Sequence, residues 1–480
     1  MKNKMEAPAI MWFRKDLRLY DNPALTQSAK TPIIPLFILD DGDAFKPGGA
    51  SKWWLYKSLV SLQKSLNTYG LKLILRRGDP LKILQEIVTS YKVCGLYWNR
   101  CYEPYVMNRD KKIKEFFKLH IECQSFNASL LAEPWTLKTQ ADSPYQVFTP
   151  YWRALKALGN FRTPLSLPVS LKGYHEPILS ELLENWNLHP TYPDWSQGLE
   201  KAWTPGEAEA QKSLSFFLEN RMQTYYKARD FPGEGGTSKL SPHLQWGEIS
   251  PHQIWHSALS SRLGELHEGE WTFLSELAWR EFSYYLLYHF PDLPTKSLRK
   301  SFRSFPWIDD QSALHAWQKG MTGFPIVDAG MRQLWDTGWM HNRVRMIAAS
   351  FLIKDLLIAW QTGASWFYDT LVDADLASNS ASWQWIAGCG VDAAPYFRIF
   401  NPVLQGQKFD PQGKYVRQWV PELGLLPDKY IHNPWEAPLN VLEAARIRLG
   451  HTYPVPIVDH KKARARALSA FEIVKSLKAE

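Results

Sequence analysis

Short β-rich runs alternate with amphipathic segments in the first third of the chain, and this alternation restricts the fold more than any other feature. The β-rich runs are AIMWFR, IIPLFILD, LKLILRR, CGLYWNR and a run near Ile121. Helical periodicity separates them at residues 51–69, 80–91 and 104–119. Because this alternation is typical of a parallel sheet with helices on both faces, we predict a Rossmann-like α/β domain over residues 1–131.

The first strand-to-helix turn lacks the dinucleotide fingerprint GxGxxG. It reads RKDLR at residues 14–18. Because the glycines of the fingerprint let the backbone approach a pyrophosphate, we expect no nucleotide cofactor at this turn by the usual route.

The rest of the chain is predicted to be helical after a connecting segment. Residues 132–204 are rich in Pro, Trp, Tyr and Ser and show weak periodicity, which favours an inter-domain linker. Beyond Pro205 the helical pattern is almost continuous and includes TFLSELAWREFSYYLLYHF and RVRMIAASFLIKDLLIAW. We therefore predict an all-α domain over residues 205–480.

Composition excludes several classes of protein. Hydrophobic residues make up 45% of the 480 residues, which excludes a disordered chain. No run reaches the ~18 consecutive apolar residues of a membrane span and no signal peptide is recognised, so we expect a soluble, cytoplasmic protein, monomeric by default. The net charge of +8 and pI near 9.0 favour an anionic partner, although basic side chains scattered over a solvated face give the same total.

The four cysteines, Cys94, Cys101, Cys123 and Cys389, show no metal-binding pattern. They have neither C-x-x-C spacing nor a neighbouring histidine cluster. We expect reduced thiols and no bound metal.

The segment between Trp339 and Pro402 has an unusual composition for a helical core. It contains GWMHNRVRM and DADLASNSASWQWIAGCGVDAAPYFRIFNP, in which Trp383 and Trp385 lie close to two acids and an asparagine. Aromatic walls beside polar groups indicate a pocket for a polar ligand, and a large flat cofactor suits it.

At these residues the chain resembles the photolyase/cryptochrome flavoprotein family, and within it the bacterial class I cyclobutane pyrimidine dimer photolyases. Further motifs extend the resemblance nearly end to end: MWFRKDLRLYDNPAL at Met11, FTPYWRA at Phe148, RDFPGEGGTSKLSPHLQWGEISP at Arg229, ELAWREF at Glu276 and NPVLQGQKFD at Asn401. The resemblance implies an antenna-type domain over residues 1–131 and a domain that binds FAD and DNA lesions over residues 205–480.

The octet GGTSKLSP at residues 235–242 combines flexible backbone, hydroxyls and a cation before a helix. Alone it reads as a capped surface turn, but it matches the family's FAD diphosphate loop. The resemblance implies FAD contacts by Tyr225, Thr237, Ser238, Lys239, Leu240, Ser241, Phe273, Arg345, Asp373, Asp375 and Asn379.

Two further features have electron-transfer roles in the family. The resemblance places Asn379 at flavin N5, where signalling plant homologues commonly carry Asp, although asparagine in a helix is more often a cap. The resemblance also implies that three tryptophans form a chain that carries an electron hole from the flavin to the surface: Trp383, Trp360 and Trp307. With 23 tryptophans in the chain, most must be packing residues.

A second set of residues is expected to contact DNA. Glu276 and Trp279 are three residues apart and so share one helix face, although an incidental glutamate on an amphipathic helix is the simpler explanation. In the family the carboxyl group bonds the dimer's pyrimidine edge, while Trp279 and Trp385 pack against the flipped bases. The resemblance implies DNA or lesion contacts by Arg229, Glu276, Trp279, Arg280, Asn342, Arg343, Met346, Trp385 and Gln405. Charge density alone adds Lys296 and Lys300.

Asn342 and Met346 bear on the lesion class. Photolyases for (6-4) photoproducts resemble this segment but carry His at both positions, because that repair requires proton transfer. Neither residue is His here, so we predict cyclobutane dimers as substrate, with His341 a secondary candidate for proton chemistry.

A light-harvesting pigment is also expected. Many family members carry methenyltetrahydrofolate or a deazaflavin, and GGASKWWL and NRCYEPYVMNRD match that region. The folate pattern has an acid where this chain has Val106, so the sequence does not choose the pigment.

Two other functions remain open. A cryptochrome would use the same pocket for signalling, but we expect no long signalling extension because the chain ends shortly after its last predicted helix. A light-independent flavoprotein oxidoreductase is disfavoured because nothing resembles a nicotinamide site.

Overall fold

The computed structural model describes residues 6–43, 45–261 and 265–476. The chain forms two compact units. Unit 1 contains residues 1–223 and 238–291, and unit 2 contains residues 224–237 and 292–480.

Unit 1 contains a five-stranded sheet in the order β3-β2-β1-β4-β5. The strands are β1 (Ala9–Phe13), β2 (Ile33–Leu39), β3 (Ile74–Arg77), β4 (Gly95–Asn99) and β5 (Glu122–Phe126). All neighbouring pairs are parallel. Every residue of β1 and β4 is buried, which explains why their sequences are continuous apolar runs rather than alternating ones. The predicted parallel α/β sheet is confirmed.

Helices make up most of the regular secondary structure of the described residues. They are α1 (Pro23–Ser28), α2 (Gly49–Asn67), α3 (Pro80–Tyr91), α4 (Pro104–Phe117), α5 (Phe148–Leu158), α6 (Gln197–Ala202), α7 (Glu207–Asn220), α8 (Tyr225–Ala228), α9 (Ser241–Gln245), α10 (Pro251–Ser260), α11 (Glu268–His289), α12 (Gln311–Gln318), α13 (Pro325–Thr337), α14 (Asn342–Ser350), α15 (Trp360–Thr370), α16 (Leu376–Ala387), α17 (Pro402–Phe409), α18 (Lys414–Trp419), α19 (Leu439–Ala444) and α20 (His460–Ser476). Their starts follow the sequence signals: Asp79 caps α3 by accepting from Leu81 N, and Pro80 fills the first turn.

The predicted linker is an integral part of unit 1. It contains α5 and α6, and its start is bonded to α11. The Glu281 carboxylate accepts from the backbone N–H of Leu131 at 2.7 Å, and the Tyr285 hydroxyl donates to the carbonyl of Leu137 at 3.0 Å. The compact units therefore divide the chain at other points than 131 and 204, and the three-part division by function stays a prediction.

The helix expected over RVRMIAASFLIKDLLIAW is interrupted in unit 2. Helix α14 ends at Ser350, a π-helical turn follows over Phe351–Asp355, and Leu357 has φ 55° before α15 begins. The interruption buries Lys354, whose Nζ donates to the carbonyl of Arg398 at 2.9 Å. Apolar periodicity could not reveal a break made by this distant contact.

No helix among the described residues has the length and apolarity to span a bilayer. The same residues contain no cluster of three or more His, Cys, Asp or Glu side chains that could hold a metal ion. Each of the four cysteines is free. Cytoplasmic location and monomeric state stay predictions.

Candidate functional site

The expected site residues differ widely in exposure. Buried ones are Tyr225, Leu240, Phe273, Trp360, Asp373, Asp375 and Trp383. Half-buried ones are Arg229, Thr237, Ser238, Glu276, Trp279, Arg280, Trp307, Arg343, Arg345, Met346, Asn379, Trp385 and Gln405. Lys239, Ser241 and Asn342 are exposed. Most of the set is therefore only partly shielded from solvent.

Arg345 and Asp373 form an ion pair in unit 2. Arg345 Nη2 lies 2.8 and 3.1 Å from the two carboxylate oxygens, and its Nε donates to the carbonyl of Met340 at 2.7 Å. The Asp373 side chain is only 4% exposed. A buried carboxylate of this kind requires its cation, so the two residues act as a unit.

Helix α16 carries the next two predicted cofactor residues. The Asp375 carboxylate caps the helix by accepting from Ser378 N at 2.6 Å. One turn later, Asn379 Nδ2 donates to the carbonyl of Ala364 at 3.0 Å. This bond uses one of the two N–H donors of the Asn379 amide and orients its carbonyl oxygen, which is able to accept from a ligand.

The three predicted electron-transfer tryptophans belong to one hydrophobic core in unit 2. Trp383 and Trp360 are 2% and 0% exposed, and the half-buried Trp307 packs against the same cluster. The Trp383 ring lies against Gly363, three residues after Trp360 on α15: a Cβ there would be 2.2 Å from its Cη2. Trp307 is therefore the most exposed of the three. The chain of ring-to-ring steps stays a prediction.

Helix α14 brings together several predicted DNA contacts. Arg343 Nη2 lies 2.6 Å from Asp230 Oδ1, and its Nη1 lies 3.9 Å from Met346 Sδ. The Arg343 guanidinium also lies over the Phe409 ring at 4.4 Å. Asp230 and Phe409 were missed by the sequence reasoning, although Asp230 directly follows Arg229 in a recognised motif.

His341 caps α14 and is buried. Its Nδ1 accepts from Arg343 N at 3.2 Å, so the neutral ring carries its proton on Nε2. Burial, assisted by Arg343 and Arg345, lowers the pKa of His341 to about 4. The imidazole is therefore neutral near pH 7, which makes it a poor acid.

Helix α11 presents three predicted lesion contacts in unit 1. The Trp279 ring is stacked on Phe148, with centroids 3.7 Å apart and planes 9° apart. Arg280 Nη1 donates to the carbonyl of Ser129 at 2.7 Å. Part of the Arg280 guanidinium is therefore committed to this chain's own backbone, and its DNA contact stays a prediction, as does that of Glu276.

The predicted diphosphate loop shows close backbone approach. A Cβ at Gly236 would lie 2.6 Å from Ala228 Cβ, so only glycine fits. Ser238 Oγ accepts from Leu240 N at 3.4 Å. The loop thus has the tight backbone that a phosphate-binding turn needs.

Phe273, another predicted FAD contact, is buried against Phe217, with ring centroids 4.6 Å apart.

The remaining predicted site residues contact side chains of their own unit or are buried. Arg229 lies over the Tyr225 ring at 5.8 Å, and Lys296 pairs with Asp292 at 3.0 Å. Trp385 packs against the core of unit 2. Val106 is buried on α4, so no carboxylate stands at that folate position.

Comparison with known proteins assigns the family. Residues 9–169 match the family described as DNA photolyase, and residues 273–473 match the FAD binding domain of DNA photolyase. A deoxyribodipyrimidine photo-lyase of Agrobacterium fabrum is 50% identical over 98% of both chains. The chain belongs to the photolyase/cryptochrome family.

Other family members bear on the predicted subclass. The crystal structure of a bacterial class III photolyase from Agrobacterium tumefaciens has a TM-score of 0.96 and 49% identity, with 99% of both chains covered. Cryptochrome-1 of Arabidopsis thaliana is 37% identical over 98% of this chain and 71% of its own. The expected class I assignment is wrong, because the solved relative that is 49% identical over nearly the whole chain is a class III photolyase.

Proposed function

We propose that this chain is a deoxyribodipyrimidine photolyase, a lyase that uses light to split cyclobutane pyrimidine dimers in DNA. The observation that carries the proposal is the arrangement on α14, where Asn342 and Met346 flank a turn capped by a neutral His341. None of these side chains is a ready proton donor near pH 7. Such a site suits a reaction in which an electron is transferred to the substrate and then returned, without transfer of a proton. The Agrobacterium fabrum and Escherichia coli relatives, 50% and 38% identical, are named deoxyribodipyrimidine photo-lyases.

FAD is the cofactor of this proposal, and the side chains fit it. When bound, reduced FAD would supply the one-electron chemistry, driven by blue or near-ultraviolet light, that opens the dimer ring. Gly236 permits close approach of a phosphate. The ion pair between Arg345 and Asp373 fixes the positions of one positive and one negative side chain. The carbonyl oxygen of Asn379 is oriented by the bond to Ala364 and can accept from an N–H of the isoalloxazine. The proposed FAD contacts are Tyr225, Thr237, Ser238, Lys239, Leu240, Ser241, Phe273, Arg345, Asp373, Asp375 and Asn379.

The DNA contacts have separate tasks. Glu276 bonds the pyrimidine edge and stabilises the dimer radical anion, while Trp279 and Trp385 pack against the extruded bases. A lesion that is already distorted costs less to extrude, by a few kcal/mol of pairing and stacking, which supplies selectivity. Arg229 and Arg343 position the backbone, so affinity falls as salt rises.

Trp383, Trp360 and Trp307 return the cofactor to its reduced state. The half-buried Trp307 is placed to pass the hole to an external reductant, while Trp383 and Trp360 are shielded from water. This pathway serves reactivation and is not part of the repair step itself.

We propose class III as the subclass, on the strength of the 49% identical structure. The antenna stays open between methenyltetrahydrofolate and a deazaflavin. A related archaeal photolyase from Sulfolobus tokodaii, 29% identical with a TM-score of 0.80, was crystallised with two FAD molecules, so a second flavin is a further candidate.

A photoreceptor is the second candidate function, because cryptochromes 1 and 2 of Arabidopsis thaliana are 37% and 38% identical to this chain. The asparagine at position 379 favours repair over signalling, since the plant receptors commonly carry Asp there. Repair assays separate the two candidates.

The test is light-dependent restoration of an oligonucleotide with one cyclobutane dimer, using protein whose flavin has been reduced chemically. We expect restoration under blue light and none in darkness. Bound, photoreducible flavin without repair would favour the photoreceptor. Light-independent oxidation of NAD(P)H would instead favour an oxidoreductase.

A further inference from the structure

Phe148, the first residue of the FTPYWRA motif, lies flat on Trp279 within unit 1. The ring centroids are 3.7 Å apart and the planes differ by 9°. Phe148 is 8% exposed, whereas Trp279 is half-buried. One face of the indole is therefore covered by this chain's own aromatic ring.

Two further rings hold Phe148 in place. Phe282, one turn after Trp279 on α11, stands at 64° to Phe148 and 71° to Trp279, with both centroid distances 5.9 Å. Tyr151, one turn after Phe148 on α5, lies 5.0 Å from Phe282. Phe282 and Tyr151 are 1% and 2% exposed. The two edge-to-face contacts of Phe282 have a geometry that aromatic pairs prefer, so this buried ring restrains both stacked rings and with them the indole plane.

The face of Trp279 away from Phe148 has no stacked aromatic ring among the described residues. Within the described part of the chain, the ring contacts of Trp279 are those with Phe148 and Phe282. A base that stacks on this indole must therefore approach from the side away from Phe148.

We propose that Phe148 is a positioning residue for lesion recognition, holding Trp279 as a one-sided platform for a pyrimidine of the extruded dimer. The inference rests on the proposed function. A side chain already fixed in its binding geometry loses no rotamer freedom when the ligand arrives, so affinity depends on the support beneath it. Phe148 then affects lesion affinity without touching DNA.

The primary experiment compares Phe148→Leu with Phe148→Tyr. Leucine keeps an apolar volume but removes the flat support, whereas tyrosine keeps the ring. Binding in darkness to a dimer-containing oligonucleotide should weaken about tenfold in Phe148→Leu, with undamaged DNA and FAD bound as in wild type. Phe148→Tyr should restore lesion affinity. Repair per bound lesion at saturating DNA should be unchanged.

Phe161→Leu is the matched control. Phe161 is also 8% exposed and also contacts a tryptophan, with its ring centroid 4.8 Å from that of Trp255 at 86°. This variant loses a buried ring by the same substitution, so it should lower the melting temperature comparably and leave lesion affinity intact. A Phe148→Leu change in a Trp279→Ala background should weaken binding no further, because the residue it supports is gone.

Two results would overturn the inference. One is equal loss of lesion affinity in Phe148→Leu and Phe161→Leu, and the other is a full additional loss from Phe148→Leu in the Trp279→Ala background. If the wild-type protein itself fails to prefer or repair dimer-containing DNA, the proposed function fails instead, which is a separate outcome.

Discussion

The side-chain amide of Asn379 donates to the carbonyl oxygen of Ala364 at 3.0 Å, and this bond decides which end of the asparagine faces a ligand. One of the two amide N–H donors is engaged, and the carbonyl oxygen is held as an available acceptor. Such an acceptor suits the N–H of a reduced flavin. Much of the proposed cofactor chemistry depends on this single orientation.

Asn379→Asp is expected to destabilise the reduced cofactor. A carboxylate cannot donate to Ala364 and adds negative charge beside the ring, so the flavin midpoint potential should fall by on the order of 60 mV, one tenfold step for one electron. Spectroelectrochemical titration measures it. Asn220→Asp is the control, because Asn220 also donates to a backbone carbonyl, at 2.9 Å from Phe216, but is exposed on α7. Equal potentials for Asn379→Asp and wild type would remove the assigned role.

Arg345→Ala should destabilise the protein more than Asp373→Asn does. The first change leaves a buried carboxylate without its cation, at a cost of about 2 kcal/mol or more, whereas the second leaves a neutral amide. Chemical denaturation of the apoprotein gives both values, and FAD titration gives the effect on the cofactor. The double variant should recover part of the loss of Arg345→Ala. Simple addition of the two losses would show that the residues do not act as a pair.

Stability should fall as pH rises from about 5 to 9 because of Glu281. Burial raises the pKa of Glu281 to about 8, above its ordinary value of 4.5. A carboxyl group whose pKa is raised by folding contributes stability below the unfolded value, and that contribution is lost as pH rises through the folded value. Glu281→Gln should therefore be more stable than wild type at pH 9 by on the order of 3 kcal/mol and similar to it at pH 5. Exposed Glu219→Gln, as control, should follow wild type, and a pH-independent difference for Glu281→Gln would refute the assignment.

Trp307→Phe should block photoreduction of oxidised flavin and leave repair intact when the flavin is reduced chemically. Phenylalanine is much harder to oxidise than indole, so the hole cannot pass to the surface. The rate of flavin bleaching under blue light with an external reductant measures this. Trp271→Phe, at a site 40% exposed on α11, controls for loss of a surface tryptophan. Normal photoreduction in Trp307→Phe would remove this residue from the pathway.

Glu276→Ala should lower the quantum yield of repair several-fold while changing lesion affinity less. The carboxyl group is assigned to the radical anion, which forms after binding, so its loss raises the barrier without removing the base contacts. Dark binding and single-turnover flash repair separate the two effects. Collapse of binding with an unchanged yield per bound lesion would contradict the role.

The sheet was predictable because burial on both faces leaves a signature in the sequence. β1 and β4 are apolar at nearly every position, and proline and acidic caps mark helices such as α3. The break after Ser350 was not predictable, since Lys354 finds its partner on Arg398 far along the chain. The ion pair between Asp230 and Arg343 was not predictable either. Sequence motifs mark the two segments, but the contact between them depends on tertiary structure.

Subclass was the least predictable property. The motifs around Asn342, Trp383 and Glu276 predicted the family, which the comparisons confirm, and class I, which the class III structure contradicts. Similarity over the whole chain was needed to favour class III.

The most direct test of the account is repair by chemically reduced protein of two oligonucleotides, one with a cyclobutane dimer and one with a (6-4) photoproduct, under blue light and in darkness. We predict light-dependent restoration of the cyclobutane substrate alone. Repair of the (6-4) product, or of neither substrate with flavin bound and photoreducible, would contradict it.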